Sequence, residues 1–339
     1  MAITTLDGAL AGMQAPRDFT KVATPTLVAG RPHSLWYLAG TPGAGSAPTA
    51  NLKGQAFSAP QAGQIPFTDP GAGNTYLAAL EAAMTVAGGE VILCDRLWGN
   101  GNIVLTSGTN NLVGNPIVSS SVANPTMITC TGNVSFANSD VVTIRGHSGS
   151  TPSIDGTYTI SNVSGATFTI PVNVSSGGTG GTVGIGLPAR DDTGTASGVG
   201  VLAALEVSSA MGANAPTMTL TYTNQAGVGG RTATNIDAAV ASAAAGAFHR
   251  FALQAGDTGI QTIQTFAFGG TAWASGTANL ILYRVLARLP LIGSYIPAAK
   301  DMFALGMQRI YNGSVPFLVV LPASTTASVV SGNVIWTQG

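Results

Sequence analysis

The sequence predicts a mainly β protein: an antiparallel sandwich or jelly-roll-like body, an inserted small β-domain, an extended N-terminal arm and one or two short helices. Three observations predict it. Runs that alternate Thr with apolar residues recur, as in TMITCT (126–131), VVTIR (141–145) and TMTLTYT (217–223), the period-2 pattern of half-buried strands. Gly and Pro, 45 and 18 residues, punctuate these runs. Strand-like runs also follow one another through short turns, which favours an antiparallel body over alternating β and α units.

Residues 1–73 are rich in Pro, Gly and Ala, with isolated aromatics at Phe19, Trp36, Tyr37, Phe57 and Phe67. This reads as an extended arm with a few short strands, which needs the body or a neighbour to lie on. NTYLAALEAAMTVAGG (74–89) predicts a helix over 74–87. Tyr76, Leu77, Leu80 and Met84 share one helical face, Asn74 is a candidate N-cap and Gly88 a candidate stop. GEVILCDRLWGNGNIVLTS (89–107) then turns to strand texture, with a turn at Gly-Asn.

Residues 117–186 hold four alternating runs, TMITCT, VVTIR, GTYTIS (156–161) and TFTIPVNV (167–174), and leave through SSGGTGG. Asp155-Gly156 is a tight-turn signal. The expected organisation is an arm over 1–73, a body over 74–116 plus 187–339, and an inserted β-domain over 117–186. Beyond the insert, AAVASAAAGA (238–247) is ambiguous between helix and loop. GIQTIQTFAF, TANLILYRVLA, VPFLVVLP and ASVVSGNVIWTQ read as strands, and DMFALGM (301–307) as a short helix.

Charged residues make up 8% of the chain and its net charge is −1, against roughly 25% charged for an ordinary globular protein. So neutral a surface either faces water through Thr, Ser and Asn or is covered by neighbouring subunits; the second is the preferred reading, because low net charge favours association. The thirteen Lys and Arg form no cluster to meet a phosphate backbone, so no nucleic-acid partner is expected. NLILYRVLARLPLIGSYIP is interrupted by Arg284, Arg288 and Pro290, so no membrane span is expected. MAITTLDGAL shows no secretory signal, and Cys94 and Cys130 read as buried thiols of a protein made in a reducing cytoplasm.

No catalytic, cofactor-binding or metal-ligating residue is assigned. His33, His147 and His249 lack a second ligand at metal spacing. Ser148 is merely adjacent to His147, and there is no G-x-S-x-G. Asp191-Asp192 could hold a divalent cation, but a polar turn with Asp as local acceptor is the preferred reading. Asp191, Asp192 and Glu206 are the only plausible members of an enzymatic carboxylate pair. GVGVLA (198–203) and GIGLPA (184–189) match G-x-G-x-x-A formally, without the strand-then-helix context that a pyrophosphate needs. Arg145-Gly146-His147 reads as a turn. Trp36, Trp98, Trp273 and Trp336 could anchor subunit contacts or pack in the core; Trp98 and Trp273 lining a shallow groove would favour a carbohydrate-binding or host-surface module.

The segment VVTIRG, SIDGTYTIS and ATFTI resembles the small β-domain of the FCCH type, found in ubiquitin-activating enzyme and as an insert in phage particle proteins. The flanks LCDRLWGN and LPARDDTGTASGVGVLAALEVS, together with YRVLARLPL, MQRIYNGSVPFLVVLPASTTAS and VIWTQG, resemble parts of bacteriophage virion structural proteins. The resemblance implies a head-associated subunit (minor capsid, cement or decoration), with a neck or tail component as the alternative. It implies self-association, expected as a homotrimer, contact with other virion proteins such as the major capsid protein, and residence in the virion after synthesis in the bacterial host. No enzyme activity and no cofactor are expected, and the insert is expected to serve surface display.

Overall fold

In the computed structural model, which describes residues 3–22, 27–49, 53–68, 73–86, 88–101, 103 and 110–339, the chain is mainly β, with two short helices. Its strands pair antiparallel in sheets of six, seven and eleven strands. The six-stranded sheet contains Arg17–Val22, Thr75–Met84 and Val329–Gln338 and ends on the edge strand Ala298–Asp301. It packs on one end of the eleven-stranded sheet. Leu77, Leu80, Val334 and Trp336 from the first meet Val91, Leu93, Leu289 and Val320 from the second.

The strand Gly89–Asn100 lies at the centre of this arrangement and is buried on both faces from Val91 onward. Its odd residues Val91 and Leu93 face the six-stranded sheet. Its even residues Ile92 and Cys94 face Trp36 and Phe57 from the N-terminal segment. The described parts of this segment that carry Phe19, Leu35, Trp36 and Phe57 therefore pack on the rest of the chain. The far end of the long sheet curls. Val201–Ser209 and Ile260–Gly269, with three strands between them in the sheet order, enclose one core with Leu205, Tyr222, Phe251, Phe266 and Leu280.

Thr75–Met84 is a strand, not the helix expected over 74–87. Trp336 pairs with Leu77 and Ile335 with Ala79, so Ala78 is an extra residue opposite that step. This bulge resets the alternation: Leu77 is inward before it, and Leu80, Ala82 and Met84 after it. Inward residues at 77, 80 and 84 mimic helical spacing, and a one-residue bulge produces that spacing in a strand. The two helices are Leu6–Ala11, capped by the Thr5 hydroxyl, and Met302–Leu305, capped by Asp301 within the expected DMFALGM segment. Residues 238–247 form turns. Residues 102 and 104–107, part of the run expected after Gly-Asn, lie outside the described residues.

The seven-stranded sheet runs from Asn115 to Ile185, with its own core of Ile128, Val142, Ile144, Phe168, Ile170 and Val183. The four expected alternating runs supply its strands Thr126–Cys130, Val141–Arg145, Gly156–Thr159 and Thr167–Ile170. Asp155-Gly156 is not a tight turn. Gly156 pairs with Ile144, and the connection is the loop 146–155, closed by the Asp155 carboxylate, which accepts from the amides of Gly146 and His147 at 2.8 and 2.9 Å. The loop is long because Ser148 and Thr151 bridge to Thr179 and Ser176.

Entry and exit strands of this sheet are neighbours, with Asn115 opposite Val183. Replacing residues 117–182 by a short Gly-Ser turn is therefore expected to leave a soluble body with a single cooperative thermal transition. Loss of that transition would show that the two cores fold only as one.

Candidate functional site

A sizeable minority of this protein's charged side chains lies inside. Among the described residues, eight of the Lys, Arg, Asp and Glu side chains are buried: Lys21, Asp95, Arg96, Arg190, Asp191, Glu206, Asp237 and Arg284. Burying a charge is costly unless it is paired or hydrogen-bonded; six of the eight are ion-paired, and Lys21 and Asp191 are held by neutral hydrogen-bond partners. Because Gly89–Asn100 is covered on both sides, its adjacent Asp95 and Arg96 enter two different networks. Asp95 accepts from Arg190 Nη1 (3.0 Å), Val315 N (2.8 Å), Ser314 Oγ (2.8 Å) and Arg284 Nε (3.4 Å). On the opposite face Arg96 grips Glu206 with both Nη atoms at 3.1 and 2.6 Å, and Tyr37 donates to the same carboxylate at 3.0 Å. The Arg96 guanidinium lies 4.6 Å from the ring centre of Trp36 and 4.9 Å from that of Phe57. Burial opposes its charge, but Glu206 outweighs burial and the net effect raises its pKa. Lys21 is held in a cage of carbonyls from Leu38, Pro42 and Gly43 at 3.2, 2.7 and 2.9 Å.

Asp191 is a local acceptor, as the preferred reading held. Its carboxylate takes seven hydrogen bonds from Thr193, Thr195, Ser197, Gly198 and Val199, between 2.7 and 3.3 Å. Burial pushes its pKa up, but the Thr195 amide and the Thr193, Ser197 and Thr195 hydroxyls prevail and hold it at about 2. Seven donors occupy the lone pairs that a cation would need. Asp192 lies beside Arg284, 3.8 Å from its Nη1. Asp191, Asp192 and Glu206 are thus each engaged by separate partners. GVGVLA passes into the strand Val201–Ser209, so no helix N-terminus stands behind it.

The histidines are all buried. His147 meets Ser120, not Ser148: its Nε2 is 3.0 Å from Ser120 Oγ and its Nδ1 2.8 Å from Gly180 O. His33 and His249 come together in the fold, and burial lowers both to about 4. They are neutral imidazoles at neutral pH, and the Nε2 of each has no partner.

The four tryptophans serve the chain's own core. Each indole Nε1 donates to a main-chain carbonyl: Trp36 to Ser46, Trp98 to Ile185, Trp273 to Val240 and Trp336 to Pro66, at 2.8–3.0 Å. None is more than 5% exposed, so the readings of tryptophan as subunit anchor or sugar platform fall away. A burial-hungry indole also needs one hydrogen bond, and main-chain carbonyls of segments packed over the sheets supply it. Cys94 and Cys130 are free, buried in different cores, and burial pushes both thiols up.

The outside carries the complementary feature. At most nineteen charges serve a surface of 12761 Å², about one per 670 Å². Large apolar side chains stand out in it: Ile292 is 84% exposed, Phe303 77% and Tyr295 75%. Tyr295 has φ +57°, in the left-handed region, and its amide donates to Met84 O at 2.8 Å. Phe303 and Leu6 line one groove of about 450 Å³ with Ile3, Ala9, Met302 and Met307. Loop 292–297, edge strand Ala298–Asp301 and helix Met302–Leu305 are consecutive in the chain, so this apolar material follows one margin of the six-stranded sheet.

No family model matches the chain, and no curated protein does. Among solved structures, it is similar to the infectious bursal disease virus VP2 subviral particle at 8% identity and a TM-score of 0.16, covering 96% of this chain and 80% of that one. The Gt strain of the same virus gives 8% and 0.15, covering 96% and 82%. The D431N mutant VP2 gives 9% and 0.15, covering 99% and 80%. Likeness at this level carries no argument about fold or function.

Proposed function

We propose that the chain is a structural subunit of a virus particle, of the bacteriophage head-associated kind, that acts by binding further copies of itself and neighbouring particle proteins. The observation that carries the reading is the sparsely charged exterior with Ile292, Tyr295, Ile296 and Phe303 displayed along one sheet margin. Exposed apolar groups grouped together mark contact surfaces. The sequence resemblance to virion proteins supports the same reading, and the carboxylates that could have served an enzyme are occupied by structural partners.

The mode of association follows from size. The accessible surface, 12761 Å² for 33.9 kDa, equals the roughly 12,800 Å² of a compact monomer of that mass. A chain this compact by itself supports copies that join face to face as finished units. The expected assembly is a trimer, docked on the head through the major capsid protein; a neck or tail position is the alternative within the particle. A sugar-binding role has less support, since the tryptophans that would stack on a sugar are buried.

Light scattering on the purified protein, alone and mixed with assembled heads, tests this. The expected mass is a small multiple of 33.9 kDa, falling to one copy in an Ile292→Lys/Phe303→Lys variant whose melting temperature is unchanged. A wild-type protein that stays monomeric and does not co-sediment with heads would overturn the reading.

A further inference from the structure

The fold brings His33 and His249, more than two hundred residues apart in sequence, to one cavity. His33 bridges antiparallel to Ala247, and Phe248 N donates to Pro32 O at 3.0 Å. His249 therefore lies diagonally across from His33 on the same face, opposite Arg31. Such cross-strand pairs stand about 7–8 Å apart, with Cβ atoms somewhat closer, a separation that two imidazoles can span around one ion. Both residues line a cavity of about 360 Å³, walled by Val28, Val240 and residues 241–244. His33 is 5% exposed and His249 3%.

The two Nε2 atoms are unpartnered. A buried polar atom without a partner is costly, so two in one cavity require an explanation. An unpartnered Nε2 offers its lone pair to an ion when the ring proton sits on Nδ1, the tautomer arrangement of a metal-binding histidine. At His33, a Cβ on Gly246 would stand 2.4 Å from Nε2, so only glycine lets the chain pass this close to the ring without displacing it. The field is mixed. Glu206 at His33 and Asp237 at His249 favour a cation, while Arg31, anchored to Ala238 O, opposes it.

We propose that this cavity binds one divalent late transition-metal ion, with His33 Nε2 and His249 Nε2 as its protein ligands and water completing the shell. Among the described residues no group of three or more His, Cys, Asp and Glu is placed to hold a metal, so the site is a labile two-imidazole clamp. It ties the N-terminal segment, through His33, to the body strand Phe248–Ala252.

Copper(II) is the probe, because it binds imidazole most tightly among first-row divalent ions. The full chain at neutral pH is titrated by calorimetry, and the bound ion is read by pulsed electron paramagnetic resonance, in which the remote nitrogen of each coordinated imidazole gives its own modulation. The expected result is one copper per chain with two imidazoles, a raised melting temperature, one imidazole and at least tenfold weaker binding in His33→Asn and in His249→Asn, and neither in the double variant. If a variant fails to fold, the wild-type spectrum still decides. A spectrum with fewer than two imidazoles, or no binding at millimolar copper, overturns the proposal, as would undiminished binding in the folded double variant.

Discussion

Asp95→Ala is expected to lower the unfolding free energy by about 3–5 kcal/mol, the range for breaking a buried ion pair by removing one partner. Asp95 is fully buried, and its carboxylate is the anion shared by Arg190 and Arg284, which are 4% and 1% exposed. Without it, two guanidinium groups remain in the interior. Each keeps one strong acceptor, Phe57 O for Arg190 at 2.5 Å and Arg309 O for Arg284 at 2.7 Å, which limits the loss. The same carboxylate accepts from Val315 N and Ser314 Oγ, so the turn entering the strand Pro316–Pro322 is loosened as well. Asp95→Asn keeps the shape and part of the hydrogen bonding and should lose less. Urea unfolding of the three proteins checks this. A loss below about 1 kcal/mol for the alanine variant would mean that water reaches the site and screens the two arginines.

Glu206→Ala is expected to cost a similar amount, about 3–5 kcal/mol, but here the whole pair is replaceable. Arg96 sits among the rings of Trp36, Phe57 and Phe317, and its Nε has no partner. Its surroundings therefore suit an apolar side chain once the charge is gone. The double variant Arg96→Met/Glu206→Leu should return to within about 1 kcal/mol of the wild type or exceed it. Tyr37 and Asn279 would keep each other as partners, since Asn279 Nδ2 donates to Tyr37 Oη at 2.9 Å. A double variant as unstable as the single one would show that the ion pair sets the register of the strands around it.

These networks show why one part of the protein could be read from sequence and another could not. Strand content was legible because side-chain alternation is a local property: Met218, Leu220 and Tyr222 alternate with threonines and do form a half-buried strand. Asp191 was legible for the same reason, because all its donors lie within eight residues of it. The strand Thr75–Met84 was misread because its bulge opposite Trp336 depends on a partner more than two hundred residues away. The tryptophans were ambiguous because burial in the core or at an interface demands the same side chain. Nothing local marked Asp95 and Arg96 either. Adjacent residues on one strand point to opposite faces, and only a strand covered on both sides buries the two together.

Sequence alone determined the chemical character of this protein: mainly β, poor in charge, and built from strands in which Thr alternates with apolar residues. Alternation, turn residues and composition act over a few residues and survive any arrangement of the chain. Tertiary structure alone decided which charges would be buried and paired, that apolar side chains would line one sheet margin, and that His33 and His249 would share a cavity. Such encounters are set by strand order and register, which join residues hundreds of positions apart and leave no mark on the neighbours of either one.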